Sequence, residues 1–178
     1  MSAIVILGHS GSGKTSVGAW VAKYLDMPCI DTDDKVLEHL GESSIQHVIQ
    51  EVWDEEGEAI WNEAKAEVIP GLLQEDNVVI LGGQTSTPAT VKDAMVNMPL
   101  IINCVADGVT TLARIAKCED TAFVTTYPKW ESLALANWQL RVREYRQLAT
   151  HELDTNGDFA SAIPRIKALL AVNPKTNQ

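Results

Sequence analysis

Features of secreted, membrane-bound or nucleic-acid-binding chains are scarce in this sequence. Its 178 residues include three cysteines, Cys29, Cys104 and Cys118, which are too few and too scattered for a disulfide framework. No C-x-x-C pair suggests zinc, and reduced thiols in a cytoplasm follow. No apolar run approaches the roughly eighteen residues of a membrane span. The apolar start ends at Gly8 with no basic residue before Lys14, so a secretory leader is not expected. Positive charge is also short: 14 Lys and Arg stand against 24 Asp and Glu, a net charge of −10. No basic run or stripe exists to hold a phosphate backbone, which argues against nucleic acid as the main partner. Repeats and low-complexity segments are missing too. What remains is a globular composition, 46% hydrophobic, long enough for one domain with a substantial core.

The informative stretch lies at the start. Ile4-Val5-Ile6-Leu7 is a short unbroken apolar run that reads as a strand buried on both faces. Residues 8–15, GHSGSGKT, follow at once and match G-x-x-x-x-G-K-[ST]. Val17, Val21, Ala22 and Leu25 then recur at helical spacing. Strand, glycine loop and helix together predict a phosphate site. Gly8, Gly11 and Gly13 let backbone amides turn inward. The helix start adds its partial positive charge. Lys14 is expected to reach the β- and γ-phosphates of ATP, and the Thr15 hydroxyl to ligate Mg²⁺.

A second short strand ends in Asp31-Thr32-Asp33-Asp34. Carboxylates at a strand's C-terminal end face the crevice where α/β sheets bind ligands. Alternation along a strand puts Asp31 and Asp33 on one side, one to hold Mg²⁺ through water and the other to accept a proton. The competing reading is a helix N-cap at Asp33 or Asp34. Residues 36–40 read as helix ending at Gly41, and Ser43-Ser44 can cap another with Ile45, Val48, Ile49 and Val52 on one face. Residues 51–67 carry seven acids against one lysine, with Ile60, Ala64 and Val68 at helical spacing. Residues 78–81 form a third strand, ending in Gly82-Gly83-Gln84-Thr85, where paired glycines suit close approach to a ligand. A helix over 88–95, a strand over 100–105 and a helix over 109–116 follow. Residues 117–130, without clear period, are a candidate lid. A long helix over 130–148 places Leu133, Ala136 and Leu140 inward and clusters Arg141, Arg143 and Arg146 late. A weak strand over 150–155 and a helix over 160–172 close a single domain of residues 1–173, before a flexible tail over 174–178. Asp154-Thr155-Asn156-Gly157-Asp158 fails as a calcium loop because Phe159 and Arg165 occupy its sixth and twelfth positions. His9 reads as a variable loop position.

Five features together resemble the shikimate kinase family over nearly the whole chain. They are residues 8–16; Cys29-Ile30-Asp31-Thr32-Asp33; Gly57 to Glu63; Leu81-Gly82-Gly83-Gln84; and Arg141 to Tyr145 with Leu153-Asp154-Thr155. The resemblance implies an α/β fold of P-loop kinase type, three layers α/β/α, with a five-stranded parallel sheet of order 2-3-1-4-5. It also implies ATP-dependent transfer of the γ-phosphoryl group to a small-molecule hydroxyl. Lys14, Thr15, Asp31, Asp33, Gly82, Gly83 and Arg141 fall on functional positions of that family. The expected nucleotide site is Gly8, Ser10, Gly11, Ser12, Gly13, Lys14, Thr15, Ser16 and Arg114. Thr15 and Asp31 are assigned to the metal, and Asp33, Asn62, Gly82, Gly83, Gln84 and Arg141 to the acceptor. Lys14, Asp33 and Arg141 are the expected catalytic residues.

Three positions depart from the family. Asn62 follows Trp61 where the family has an arginine that helps grip a carboxylate, Gln84 replaces a glycine, and residues 118–126 hold no lid arginine. Two further readings therefore stand beside the shikimate kinase-like one. One is a kinase for another small acceptor, a sugar acid or nucleoside. The other is a nucleotide-binding regulatory module without transfer activity. A cytoplasmic monomer or weak homodimer, with no membrane partner, is expected in each case.

Overall fold

The computed structural model describes residues 3–43, 55–83, 86–117 and 129–172. Five strands are described: β1 (Ile4–Leu7), β2 (Cys29–Asp31), β3 (Val78–Ile80), β4 (Ile101–Val105) and β5 (His151–Asp154). Seven helices are described with them: α1 (Lys14–Leu25), α2 (Thr32–Leu40), α3 (Glu55–Leu72), α4 (Ala89–Met95), α5 (Gly108–Lys117), α6 (Trp130–Leu148) and α7 (Phe159–Ala171). The strands form one parallel sheet in the order β2-β3-β1-β4-β5, as expected. The candidate lid over 118–128, the helix expected over 44–52, Gln84 and the tail lie outside the described residues.

Strand β1 explains the layering. Alternate side chains point to opposite faces of a strand. Ile4 and Ile6 join a core with Val17, Val21 and Ala22 of α1 and with Ala162, Ile166 and Leu170 of α7. Val5 and Leu7 join a second core with Ile69 and Leu73 around α3, Val91 and Met95 of α4, and Tyr145 of α6. Both faces are therefore covered by helices, which is why β1 is apolar at every position. Each such side chain contributes roughly 1.5–3 kcal/mol when fully buried. A smaller cluster of Val36, Trp61 and Ala64 fastens α2 to α3, and Ile115 and Ala134 fasten α5 to α6.

Two helix faces differ from the sequence expectation. On α3, Ile60 is 50% exposed and Val68 is only half-buried, while Trp61, Ala64, Lys65 and Ile69 are buried. On α6, Leu133 and Leu140 are exposed, Leu140 at 65%, and Ala136 is exposed with them. The inward stripe is instead Ala134, Trp138, Arg141, Tyr145 and Leu148. It keeps the helical period but is shifted by one residue. On α3 the expected face holds only for Ala64 and in part for Val68, and in both helices the inward stripe includes a charged residue, Lys65 or Arg141.

Helix α3 provides a direct comparison. Ile69→Ala should cost about 2–5 kcal/mol, since the site is closed on all sides. Ile60→Ala should stay within about 0.5 kcal/mol. Urea unfolding of both variants measures the difference, and equal effects would contradict the buried face described above.

Candidate active site

The glycine loop leaves β1 at the point where the chain's connections diverge, towards β3 and β2 on one side and β4 on the other. That switch point is where parallel sheets bind ligands. Gly11 and Gly13 adopt φ of 78° and 85°, left-handed values that a side chain resists. Gly13 is the N-cap residue of α1, has no side chain to cap the helix, and is followed by a first turn without acids. The exposed amides of that turn and the helix dipole thus favour an anion here. Thr15 and Ser16 are exposed beside them. This uncapped cradle fits the phosphates of a nucleotide.

Beside the cradle lies a cavity of about 390 Å³ lined by Gly13, Ser16, Val17, Arg114, Thr155 and Phe159, among others. Arg114 braces it. One guanidinium nitrogen donates to the Gly11 carbonyl at 3.2 Å, and the other to the carbonyls of Thr155 at 2.6 Å and Gly157 at 3.1 Å. Thr155 completes the brace, its hydroxyl lying 2.7 Å from the Ser12 carbonyl and 3.0 Å from that of Val105. The sequence assigned Arg114 to the nucleotide and offered no reason for Thr155; both hold the loop in shape.

On the other side stand the two aspartates, and here the strand alternation argument is corrected. Helix α2 begins at Thr32, so Asp31 ends the strand and Asp33 already lies in the helix. The N-cap is Asp31, whose carboxylate accepts the Asp33 amide at 3.0 Å, and not Asp33 or Asp34. Thr32 is buried and its hydroxyl accepts the Gly82 amide at 3.0 Å. This seats the Asp33 carboxyl directly over Gly82, leaving no room for a Cβ there. Gly83 is packed just as closely on the Gly8 carbonyl. Burial first and the neighbouring Asp31 second push the Asp33 carboxyl up to about 6, against the pull of Lys14 and Lys65. Burial likewise raises Asp31.

Arg141 is 16% exposed in its side chain, pairs with Glu144 of the same helix at 2.6 Å and donates to the Asn137 side chain at 3.2 Å. Glu144 also accepts from Lys92 at 2.8 Å and from the Thr87 amide at 3.1 Å. Burial opposes ionisation of Glu144, yet Lys92 and Arg141 hold its carboxyl below the usual range. Asn62 donates to the Ser86 hydroxyl at 3.2 Å, and its carbonyl oxygen is buried without a partner among the described residues.

Two residues of this region were missed in the sequence. Lys65 is 1% exposed, and its ammonium donates to the Ser86 carbonyl at 2.5 Å. Burial, with Arg141 as a like charge, pushes it down to about 8, while Asp33, Glu144 and Glu58 pull the other way. Its signal was its spacing, four residues from Trp61 and four from Ile69 on the buried stripe. His9, treated as a variable position, is 4% exposed; its Nδ1–H donates to the Ser10 carbonyl at 2.8 Å, which leaves Nε2 as a buried acceptor without a partner. Burial is the main reason its pKa falls to about 4, and Lys14 and Arg141 add to the fall.

The sheet order and the uncapped glycine loop after β1 together define a P-loop α/β protein. The chain belongs to the shikimate kinase family, whose family model, described as shikimate kinase, matches residues 10–169. A curated shikimate kinase of Bacillus anthracis is 39% identical over 83 residues, 47% of each chain, so the chain spans about half the length of the curated relatives it matches. Among solved structures, shikimate kinase from Acinetobacter baumannii in complex with shikimate superposes with a TM-score of 0.80 at 21% identity, covering 96% of this chain and 94% of the other. Shikimate kinase from Bacteroides thetaiotaomicron superposes with a TM-score of 0.79 at 21% identity, covering 96% and 99%. These likenesses agree in fold. A family of kinases brings with it ATP and usually Mg²⁺. Among the described residues, no helix is long and apolar enough to cross a membrane.

His9 gives a stability prediction. Its folded pKa lies below the unfolded value near 6.5, so between about pH 4 and 6.5 the unfolded chain binds the extra proton. Stability from neutral His9 is thus present at pH 7 and lost as pH falls. The stability advantage of wild type over His9→Gln should shrink by about 3 kcal/mol between pH 7 and pH 4. Urea unfolding at the two pH values measures it; an unchanged difference would mean that His9 titrates normally.

Proposed function

We propose that this protein is an ATP-dependent phosphotransferase that transfers the γ-phosphoryl group to a hydroxyl of a small acidic acceptor of the shikimate kind. The observation that carries this reading is the pairing of an uncapped phosphate cradle with a half-buried, ionisable Asp33 across the Gly82–Gly83 turn. In this reading the loop amides from Ser10 to Ser16 and the Lys14 ammonium hold the phosphates, and Arg114 braces the loop from the side of the nucleotide cavity. Thr15 and Asp31 would hold Mg²⁺, which neutralises charge on the phosphates as transfer proceeds. The oxygen set of a hydroxyl and a carboxylate suits that hard cation.

Asp33 then takes the proton from the acceptor hydroxyl. The hydroxyl oxygen forms its bond to the γ-phosphorus as the bond from that phosphorus to the bridging oxygen breaks, and ADP leaves. A carboxyl with a pKa near 6 is mostly ionised at neutral pH and remains basic enough to receive the proton. Gly82 and Gly83 let the turn pack closely against Asp33 and the glycine loop; in this reading Arg141 faces the acceptor, and Asn62 and Gln84 complete the set. Buried Cys104 is a free thiol, consistent with a reducing cytoplasmic setting.

A second acceptor class, a sugar acid or a nucleoside, gains support from Asn62, because an amide lacks the charged fork that grips a carboxylate, and from the Glu144 carboxylate already paired with Arg141. Retention of Lys14, Thr15, Asp31 and Asp33 speaks against a module without transfer activity.

ADP release measured against a panel of small hydroxy acids, sugars and nucleosides tests the reading, with hydroxy acids expected to give the fastest turnover. Lys14→Ala should fold and lose turnover by more than about tenfold, equivalent to a barrier rise above about 1.4 kcal/mol. For Asp33→Asn, kcat should fall by about 10²- to 10⁴-fold, while affinity for a non-hydrolysable ATP analogue changes little. Normal turnover in Asp33→Asn would remove the proposed base.

A further inference from the structure

His9 is a buried residue of the glycine loop, and half of its ring has no task in the steps above. Nδ1–H donates to the Ser10 carbonyl, which fixes the tautomer and leaves a lone pair on Nε2. That nitrogen is buried and has no partner among the described residues. An apolar side chain of similar size would fill the space without desolvating an acceptor. The ring therefore calls for a donor, and the packing around it supplies one.

Two contacts bring His9 and Arg141 to the same turn. From the loop side, a Cβ on Gly83 would meet the Gly8 carbonyl, the Ser10 amide and the His9 carbonyl carbon, so residues 8–10 lie directly on that glycine. From the helix side, Tyr145 is buried and its hydroxyl lies 3.5 Å from the Gly82 carbonyl. Arg141 stands one turn before Tyr145 on the same inward stripe of α6. Its charge is accordingly one of the two, with that of Lys14, that the His9 ring senses. Lys14 has the phosphates to hold. Arg141 uses Nε on Asn137 and Nη1 on Glu144, both within its own helix, and Nη2 has no partner among the described residues. An unused donor and an unused acceptor thus meet at the Gly82–Gly83 turn.

We propose that His9 is a positioning residue: its Nε2 receives an N–H of the Arg141 guanidinium, directly or through one bridging water, and so fixes the arginine from the loop side. Only the kinetic consequence rests on the phosphotransferase reading. A neutral imidazole suits this place because it sets a lone pair beside two cations without adding a third charge. The loop that holds the phosphates then also orients the residue assigned to the acceptor.

The kinetic test compares wild type, His9→Leu, His9→Gln, Arg141→Gln and the double variant His9→Leu/Arg141→Gln, with shikimate as acceptor. His9→Leu should raise KM for shikimate by about tenfold, the scale of one charge-assisted contact, with a smaller change in kcat. His9→Gln keeps a neutral acceptor and should recover most of that loss. In the Arg141→Gln background, His9→Leu should change KM by less than about twofold, because the partner is gone. Affinity for a fluorescent ATP analogue should be the same in wild type and His9→Leu. Equal KM effects of His9→Leu with and without Arg141 overturn the proposal. A loss confined to nucleotide affinity also overturns it and assigns the ring to Lys14. Should another hydroxy acid prove to be the better acceptor, it replaces shikimate.

Histidine-selective ¹⁵N NMR reads the same contact without turnover. The Nε2 resonance of His9, identified by its absence in His9→Gln, should move on Arg141→Gln toward the position of a free lone pair. An unmoved resonance overturns the proposal, and this holds even where His9→Leu fails to fold. If no acceptor in the panel is phosphorylated, the phosphotransferase reading falls and the resonance alone decides whether His9 and Arg141 are joined.

Discussion

The site depends on the contact between two pieces of backbone, the glycine loop after β1 and the turn after β3. Gly83 lies on the Gly8 carbonyl with no space for a Cβ, and Gly82 lies under the Asp33 carboxyl with none either. Gly83 meets backbone, so no rotamer change can relieve a larger residue there, whereas a larger residue at Gly82 would displace the Asp33 carboxyl. The contact sets the spacing between the phosphate cradle and the acid opposite it. Parallel pairing of β1 with β3, through Ile4–Val78, Val5–Val79 and Ile6–Ile80, brings the two turns to the same end of the sheet. Thr32, donating nothing to the chemistry, fixes α2 by accepting the Gly82 amide.

Around this contact the protein maintains ionisable groups in states that water would not favour. His9 is held neutral, Asp33 is made harder to ionise and Lys65 easier to deprotonate, in each case chiefly through burial. A fold optimised only for stability would replace such groups with apolar ones of similar size. Their clustering at the open end of the sheet, away from the two cores, is the pattern of a site where chemistry sets the composition. Glu144 shows how such a cluster is kept in place. Its carboxylate links α6 to Lys92 of α4 and to the amide of Thr87, so the orientation of Arg141 is tied to the scaffold on the β3 side.

The nucleotide side is organised by different means. Arg114 and Thr155 reach the loop from α5 and from the end of β5, and their donors end on carbonyl groups of the backbone. A loop rich in glycine gains freedom that must be removed for its amides to converge. Bracing from outside does so without filling the cavity itself, and it makes the loop's shape depend on β4 and β5 as much as on β1.

The sequence by itself determined the strands and the glycine loop through local patterns: apolar runs of strand length, helical spacing, and a motif in which each residue has its own reason. The parallel sheet and its order came from the resemblance to the family. Lys14, Asp33 and Arg141 were assigned to one site through the family resemblance. Tertiary structure alone decided which helix faces turn inward. On α6 the inward stripe of Ala134, Trp138, Arg141, Tyr145 and Leu148 includes an arginine, while Leu133 and Leu140 lie on the exposed side. Hydrophobic spacing reports the core, and a helix that borders a polar site obeys a second demand which its own sequence does not separate from the first. Asp31 became a cap because α2 starts earlier than its apolar residues suggest. Lys65 and His9 emerged for the same reason: burial is a property of what packs against a residue, and their partners are distant in the chain or, for His9, in a loop whose path no pattern encodes.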